Sequence, residues 1–226
     1  VHDVMATYGF DEAAGNYQAT NYTGLGVDGD ALQVDVTDPG PDALCNALFY
    51  SIASPSLFAT VDGDNNMIEM GYCNRTDPTR DSGFDNDIIL HEFGHALIGR
   101  LVGGPFWMQG AVDEEQSGAI HEGGADYLSL LFGMQATDTP ETPKWDKVWY
   151  FGDEDKGIRR QPYSYDMSIG DKTFENWNEF DDTSFDPPRP NAQQHNAGEI
   201  VASMLYDMTW ELIFKYGGVR DASAMD

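Results

Sequence analysis

The tightest constraint on this chain is the run His91-Glu92-Phe93-Gly94-His95, set inside the apolar stretch from Ile88 to Leu101. On a helix, residues four apart share a face, so both imidazoles project together and can hold one metal ion, with Glu92 beside them. The pattern is a zinc-hydrolase signature. Its flanks obey helix rules: Asp85 is placed to cap the start, Asp87 lies in the first turn where a carboxylate is favoured, and Gly103-Gly104 can end it. Ile88, Ile89, Ala96, Leu97 and Leu101 give the apolar flanks of a helix buried within a domain. A buried helix can also carry two hydrogen-bonded histidines and no metal. The pattern therefore needs a third ligand downstream.

A catalytic zinc takes three protein ligands and keeps one position open for water. Glu122 is the best third ligand, on a second helix that a loop can pack against the first. Asp126 follows four residues later on the same face, where it can accept the free N–H of a ligating histidine and fix its tautomer. Read alone, the two residues are an ordinary acidic pair at a helix start. Behind an H-E-x-x-H helix they form a ligand and its support.

Charge narrows the function classes. Lys and Arg number 12 against 39 Asp and Glu, a net charge of -27, which argues against a nucleic-acid partner or an anionic membrane surface. The acidic residues are dispersed, as on a solvated surface, and such a surface suits a saline environment. No apolar run reaches membrane-spanning length. The chain begins at Val1 without an initiator methionine or signal-like segment, so a fragment of a longer precursor is expected. Cys45 and Cys73 lack a C-x-x-C or Cys/His metal spacing. They are either one disulfide, which implies an extracellular compartment, or two buried thiols. Asn21-Tyr22-Thr23 and Asn74-Arg75-Thr76 match the N-glycosylation acceptor pattern.

The 226 residues are expected to form one α+β domain in two lobes: 1–102, strand-rich and closing on the metal helix, and 103–226, mainly helical. Val1 to Gly15 reads as a helix end and a loop. Strands are predicted over Ala31–Val36, Asn46–Tyr50 and Met67–Tyr72, with breaks at Gly24-Leu25-Gly26, Pro39-Gly40-Pro41 and Asp62-Gly63. Asp62-Gly63-Asp64-Asn65-Asn66 and Asp153-Glu154-Asp155 invite a Ca2+ reading. The first lacks the EF-hand glycine and glutamate spacing, and a turn is the preferred reading of both. Gly103 to Gln109 is a loop, and the second half of Gly118–Phe132 is a helix. Thr137 to Pro190 is a long irregular segment. Ala197–Tyr216 is a final helix, with Ile200, Met204, Leu205, Met208, Leu212 and Ile213 on one face.

Asp85 to Gly104, followed by Glu122-Gly123-x-x-Asp126, resembles the fungalysin family of secreted zinc metalloendopeptidases, which is similar in fold to thermolysin. Three further stretches carry the likeness. They are His2-Asp3 with Tyr8 to Gln18; Gly157-Ile158-Arg159-Arg160 with Pro162-Tyr163-Ser164; and His195 to Ile200 with Met204-Leu205-Tyr206-Asp207 and Trp210. The chain departs from the family pattern at Gly124, where a tryptophan is usual, and at His121, where a small residue is usual.

The resemblance implies a thermolysin-like architecture, zinc held by His91, His95 and Glu122, and Glu92 as general base and then acid. It implies His195 as a donor to the oxyanion, the alternative being a solvent-exposed residue at a helix start. Asn46-Ala47-Leu48-Phe49 resembles the edge strand on which such enzymes lay an extended peptide, and equally fits a plain core strand. Arg159 or Arg160 could bind a substrate carbonyl, or form a structural ion pair. The expected partners are a protein or peptide substrate and an inhibitory propeptide in the precursor, with no nucleic acid and no membrane. The rival from another class is a non-catalytic surface or adhesive domain that retains the fold and metal site.

Overall fold

The computed structural model describes residues 1–36, 45–51, 66–107, 112, 115–152, 156–176 and 192–217. In chain order they form α1 (His2–Thr7), β1 (Gln33–Asp35), β2 (Ala47–Ser51), β3 (Asn66–Met70), β4 (Tyr72–Cys73), β5 (Arg80–Asp81), α2 (Asn86–Trp107), α3 (Glu115–Phe132), α4 (Val148–Phe151) and α5 (Ala192–Tyr216). The chain is thus mixed α+β, as expected. The predicted Asp153–Asp155 turn lies outside the described residues, as does the Asp62–Asn66 turn apart from Asn66, which opens β3.

The three larger strands form one sheet in the order β1-β3-β2, with β1 parallel and β2 antiparallel to β3. β3 alternates buried Asn66, Ile68 and Met70 with partly exposed Met67 and Glu69, the period-2 signature of a strand with one face on a core. The predicted run to Tyr72 is interrupted at Gly71. Beyond it β4 turns away and pairs with β5, and the Cys45–Cys73 disulfide ties the entrance of β2 to β4. Of the two acceptor-pattern asparagines, Asn21 spends its amide on the carbonyls of Leu25 and Val27, and Asn74 is exposed on a turn.

α2 lies between the sheet and α3. Asp85 caps it, accepting from the Asp87 N–H at 3.0 Å, and its other oxygen accepts from the Tyr150 N–H at 2.9 Å. Gly104 adopts φ 65°, a left-handed conformation that breaks the helix at the predicted glycine pair. Leu90, Phe93, Ala96 and Leu97 pack with Phe10, Tyr17 and Leu128. On the other flank Ile88 packs with Ala47, Ile68, Met70 and Tyr150. Leu101, expected to flank the core, is exposed.

α3 begins earlier than predicted, and its glycines have a packing reason. A Cβ on Gly94 of α2 would stand 2.7 Å from the Ala125 Cα of α3. One on Gly123 of α3 would stand 2.3 Å from the Gly198 carbonyl oxygen of α5. The three helices therefore meet backbone to backbone where α3 carries Glu122.

The predicted face of α5 is corrected. Ile200 is buried, but Met204, Met208 and Leu212 are each more than 40% exposed. The helix instead buries Ala197, Val201, Ala202, Tyr206 and Trp210, because the large aromatic rings fill the space against Leu130 and Tyr163. The predicted irregular segment contains α4, one bridge, Lys144 to Tyr163, and a single 3-10 turn over 174–176 among the described residues.

Candidate metal centre

The four-residue spacing on α2 brings His91 and His95 together with their Nε2 atoms 3.0 Å apart. Glu122 enters from α3, with Oε2 3.4 Å from His91 Nε2 and Oε1 3.7 Å from His95 Nε2. One ligand atom from each of the three lies within 4.8 Å of the others. Both histidines are buried, and Glu92 is buried beside them. His195, in the first turn of α5, stands 3.2 Å from Glu122 Oε1 with its side chain 41% exposed.

The donor chemistry suits a divalent cation. Two imidazole nitrogens and a carboxylate oxygen converge, a set that zinc takes readily. His95 Nδ1 is buried without a hydrogen-bond partner among the described residues, and Glu122 Oε2 meets His91 Nε2 only at a long 3.4 Å; a carboxylate oxygen so placed between two imidazoles is a place a cation would satisfy. The ionisation states agree for two ligands. Burial holds His95 well below its ordinary value, hence neutral. Burial opposes ionisation of Glu122, yet His195, His95 and His91 together hold its carboxyl well below the usual range. At His91, burial and the Lys147 ammonium favour the neutral ring, but Asp126 and Glu122 outweigh them and carry it up to about 9. A proton on His91 and a metal ion at its Nε2 are alternatives that the same carboxylates favour. Burial pushes Glu92 up to about 7, a value at which a carboxylate can both take and return a proton.

Asp126 stands behind His91, its Oδ1 2.8 Å from Nδ1. The same carboxylate accepts from Arg159 Nε and Nη2, both at 2.6 Å, and from the Tyr163 hydroxyl at 2.7 Å. Burial opposes its charge, but Arg159, Lys147 and His91 hold it well below the ordinary carboxylate range. Of the two readings of Arg159, these contacts fit the ion pair: the side chain is buried and its guanidinium is turned onto Asp126. Asn46 directly precedes β2, which Ala47 opens and which is an edge strand of the sheet among the described residues; Ala47 is buried, Asn46 is exposed, and the Asn46 carbonyl accepts from the Tyr150 hydroxyl at 3.3 Å.

Sequence reasoning missed Lys147, which reaches Asp126 and His91, and Asp146, which pairs with Lys147; both lie in the segment read as irregular. The available signal was a lysine in a chain with few basic residues. It also left unassigned His121, whose Nε2–H donates to the His95 carbonyl at 2.9 Å and whose ring meets His95 edge-on, centroids 4.2 Å apart. An apolar cavity of about 430 Å³ is lined by residues such as Leu32, Val34, Ile68 and Phe93. None of the three clustered side chains lines it.

The family model for the fungalysin metallopeptidase (M36) family matches residues 1–225. The chain is similar to an extracellular metalloproteinase MEP of Leptosphaeria maculans, 31% identical over 225 residues, which is 100% of this chain and 32% of the relative. It is 33% identical over 216 residues to an extracellular metalloproteinase mep of Aspergillus terreus, 96% of this chain and 30% of the relative. To extracellular metalloproteinase 2 of Phaeosphaeria nodorum it is 33% identical over 225 residues. The chain spans about a third of the length of these curated relatives.

Proposed function

The chain belongs to the fungalysin metallopeptidase family, and from that premise we propose that it carries the catalytic centre of a secreted zinc endopeptidase acting on proteins or peptides. The observation that carries the reading is the convergence of His91, His95 and Glu122, with Asp126 2.8 Å behind His91. The names of the relatives support an extracellular location, as does the Cys45–Cys73 bridge.

In this reading His91 and His95 offer Nε2, Glu122 offers a carboxylate oxygen, and Asp126 holds His91 in the tautomer with its proton on Nδ1. When bound, zinc supplies Lewis acidity, acidifying water and polarising a peptide carbonyl. Glu92 takes the proton from the attacking water and delivers it to the departing amine. His195, half-exposed and close to Glu122, donates a hydrogen bond to the carbonyl oxygen as negative charge develops there. The edge strand β2, entered through Asn46 and Ala47, offers main-chain groups to an extended peptide. Arg159 acts through Asp126 rather than on substrate. We further propose the thermolysin-like arrangement of lobes 1–102 and 103–226 with the substrate cleft between them, and a propeptide in a longer precursor. The non-catalytic alternative draws no support from the site, since Glu92 is kept between the two histidines.

Hydrolysis of a peptide blocked at both ends, before and after treatment with a zinc chelator, tests this reading. Chelator-sensitive internal cleavage is expected. Cleavage confined to unblocked ends would make the protein an exopeptidase, and none with zinc bound would favour the non-catalytic domain.

A further inference from the structure

Lys147 is buried against the centre, and the mechanism above gives it no part. Its backbone is left-handed, φ 57°, a conformation that costs a residue with a long side chain about 1 kcal/mol or more. Contacts to two helices and to its own neighbour hold it there. Its N–H donates to Asp87 Oδ2 at 3.2 Å in the first turn of α2. Its ammonium donates to Asp126 Oδ1 on α3 at 3.0 Å and to the neighbouring Asp146. The left-handed turn lets one residue reach α2 with its backbone and α3 with its side chain.

Nζ also stands 3.3 Å from His91 Nδ1. When Nδ1 carries the proton it shares with Asp126, this pair is not a hydrogen bond, because both atoms are donors. The ammonium and the imidazole N–H are instead two donors converging on one carboxylate oxygen. Arg159 and the Tyr163 hydroxyl engage Oδ2, and Arg159 Nη2 joins Lys147 on Oδ1. So loaded, the carboxylate has one orientation that satisfies all its donors, with Oδ1 on His91.

We propose that Lys147 is a positioning residue of the metal centre: it holds Asp126 Oδ1 against His91 Nδ1, so that the ring keeps Nε2 aimed at His95 and Glu122. The inference rests on the reading of those three residues as metal ligands. Arg159 pairs with Asp126, and Lys147 pairs both with Asp126 and with its own neighbour Asp146.

The test reads the metal rather than turnover. Zinc release from the full chain is followed with a chromophoric chelator, and Co2+ is substituted to record its visible spectrum. Lys147→Met is expected to weaken zinc binding about 10- to 100-fold, as loss of a group behind a ligand does elsewhere, and to shift the cobalt spectrum. Lys147→Arg keeps a donor cation and recovers most of the affinity. Wild-type zinc affinity with an unchanged cobalt spectrum in Lys147→Met overturns the proposal. If that variant fails to fold because Asp146 is left without its partner, Asp146→Asn with Lys147→Met removes both charges together; a folded double variant of wild-type affinity overturns it equally. Zinc held equally by wild type and variant removes this inference alone, whereas a wild-type chain that holds no zinc removes the metal site as well.

Discussion

Asp126 Oδ1 lies 2.8 Å from His91 Nδ1, and the same carboxylate is clasped through both oxygens by Arg159. A metal ligand and a buried ion pair thus share one side chain. Asp126→Asn should cost twice: zinc affinity falls about 10- to 100-fold, and Arg159 loses its charge partner, at about 3–5 kcal/mol of stability. Chelator competition reads the first and urea unfolding the second. A variant with normal zinc affinity would separate Asp126 from the centre.

Gly123→Ala improves helix propensity by about 1 kcal/mol, yet its Cβ would meet the Gly198 carbonyl oxygen at 2.3 Å and Val201 Cβ at 2.6 Å. Overpacking of a close crossing costs about 1–3 kcal/mol, so a net loss is expected in thermal or urea unfolding. Zinc affinity should fall with it, because Gly198 in turn abuts the Cβ of Glu122. A more stable variant would contradict the crossing.

Which residues were legible in the sequence follows from where periodicity operates. His91, His95, Glu122 and Asp126 lie on helices, whose 3.6-residue turn converts spacing into direction. Lys147 and Asp146 lie in a segment without a period, where only tertiary contacts fix direction, and the sequence pattern left them unassigned. The α5 face was misread for another reason. Met204, Met208 and Leu212 match a helical apolar stripe, but Tyr206 and Trp210 fill more of the core and turn that stripe outward. β1 was legible as a strand, while its parallel pairing with β3 depends on a connection that local pattern does not encode.

The pH response follows from Glu92, which burial pushes up to about 7. From the ordinary carboxyl value of about 4.3 up to 7, the native state keeps a proton that the unfolded chain has lost. In the metal-free protein this group's contribution to stability is therefore intact below that window and is lost as pH rises through it. Turnover runs the other way, since the base must be ionised. A dication beside Glu92 can only favour the carboxylate, so the acid limb of kcat/KM is expected at or below pH 7. A limb centred well above 7 would exclude Glu92 as the base.

Five residues beyond His95 on α2, Arg100 forms a buried pair with Asp30 at 3.0 Å that fastens the loop after α1 to the helix, with Arg100 stacked over Tyr17. Asp30→Ala is expected to cost about 3–5 kcal/mol by leaving the guanidinium without its carboxylate. Replacing both residues with leucine should cost less than that single change. Urea unfolding of the three proteins checks the order, and equal losses would mean the charge pairing is not what holds the loop.

The central claim is that Glu92 moves the proton while His91, His95 and Glu122 hold the metal. Zinc content and peptide hydrolysis measured together on Glu92→Gln test it most directly. The expected result is one zinc per chain, as in the wild type, with turnover lowered at least about 100-fold. Wild-type turnover with zinc bound would contradict the account.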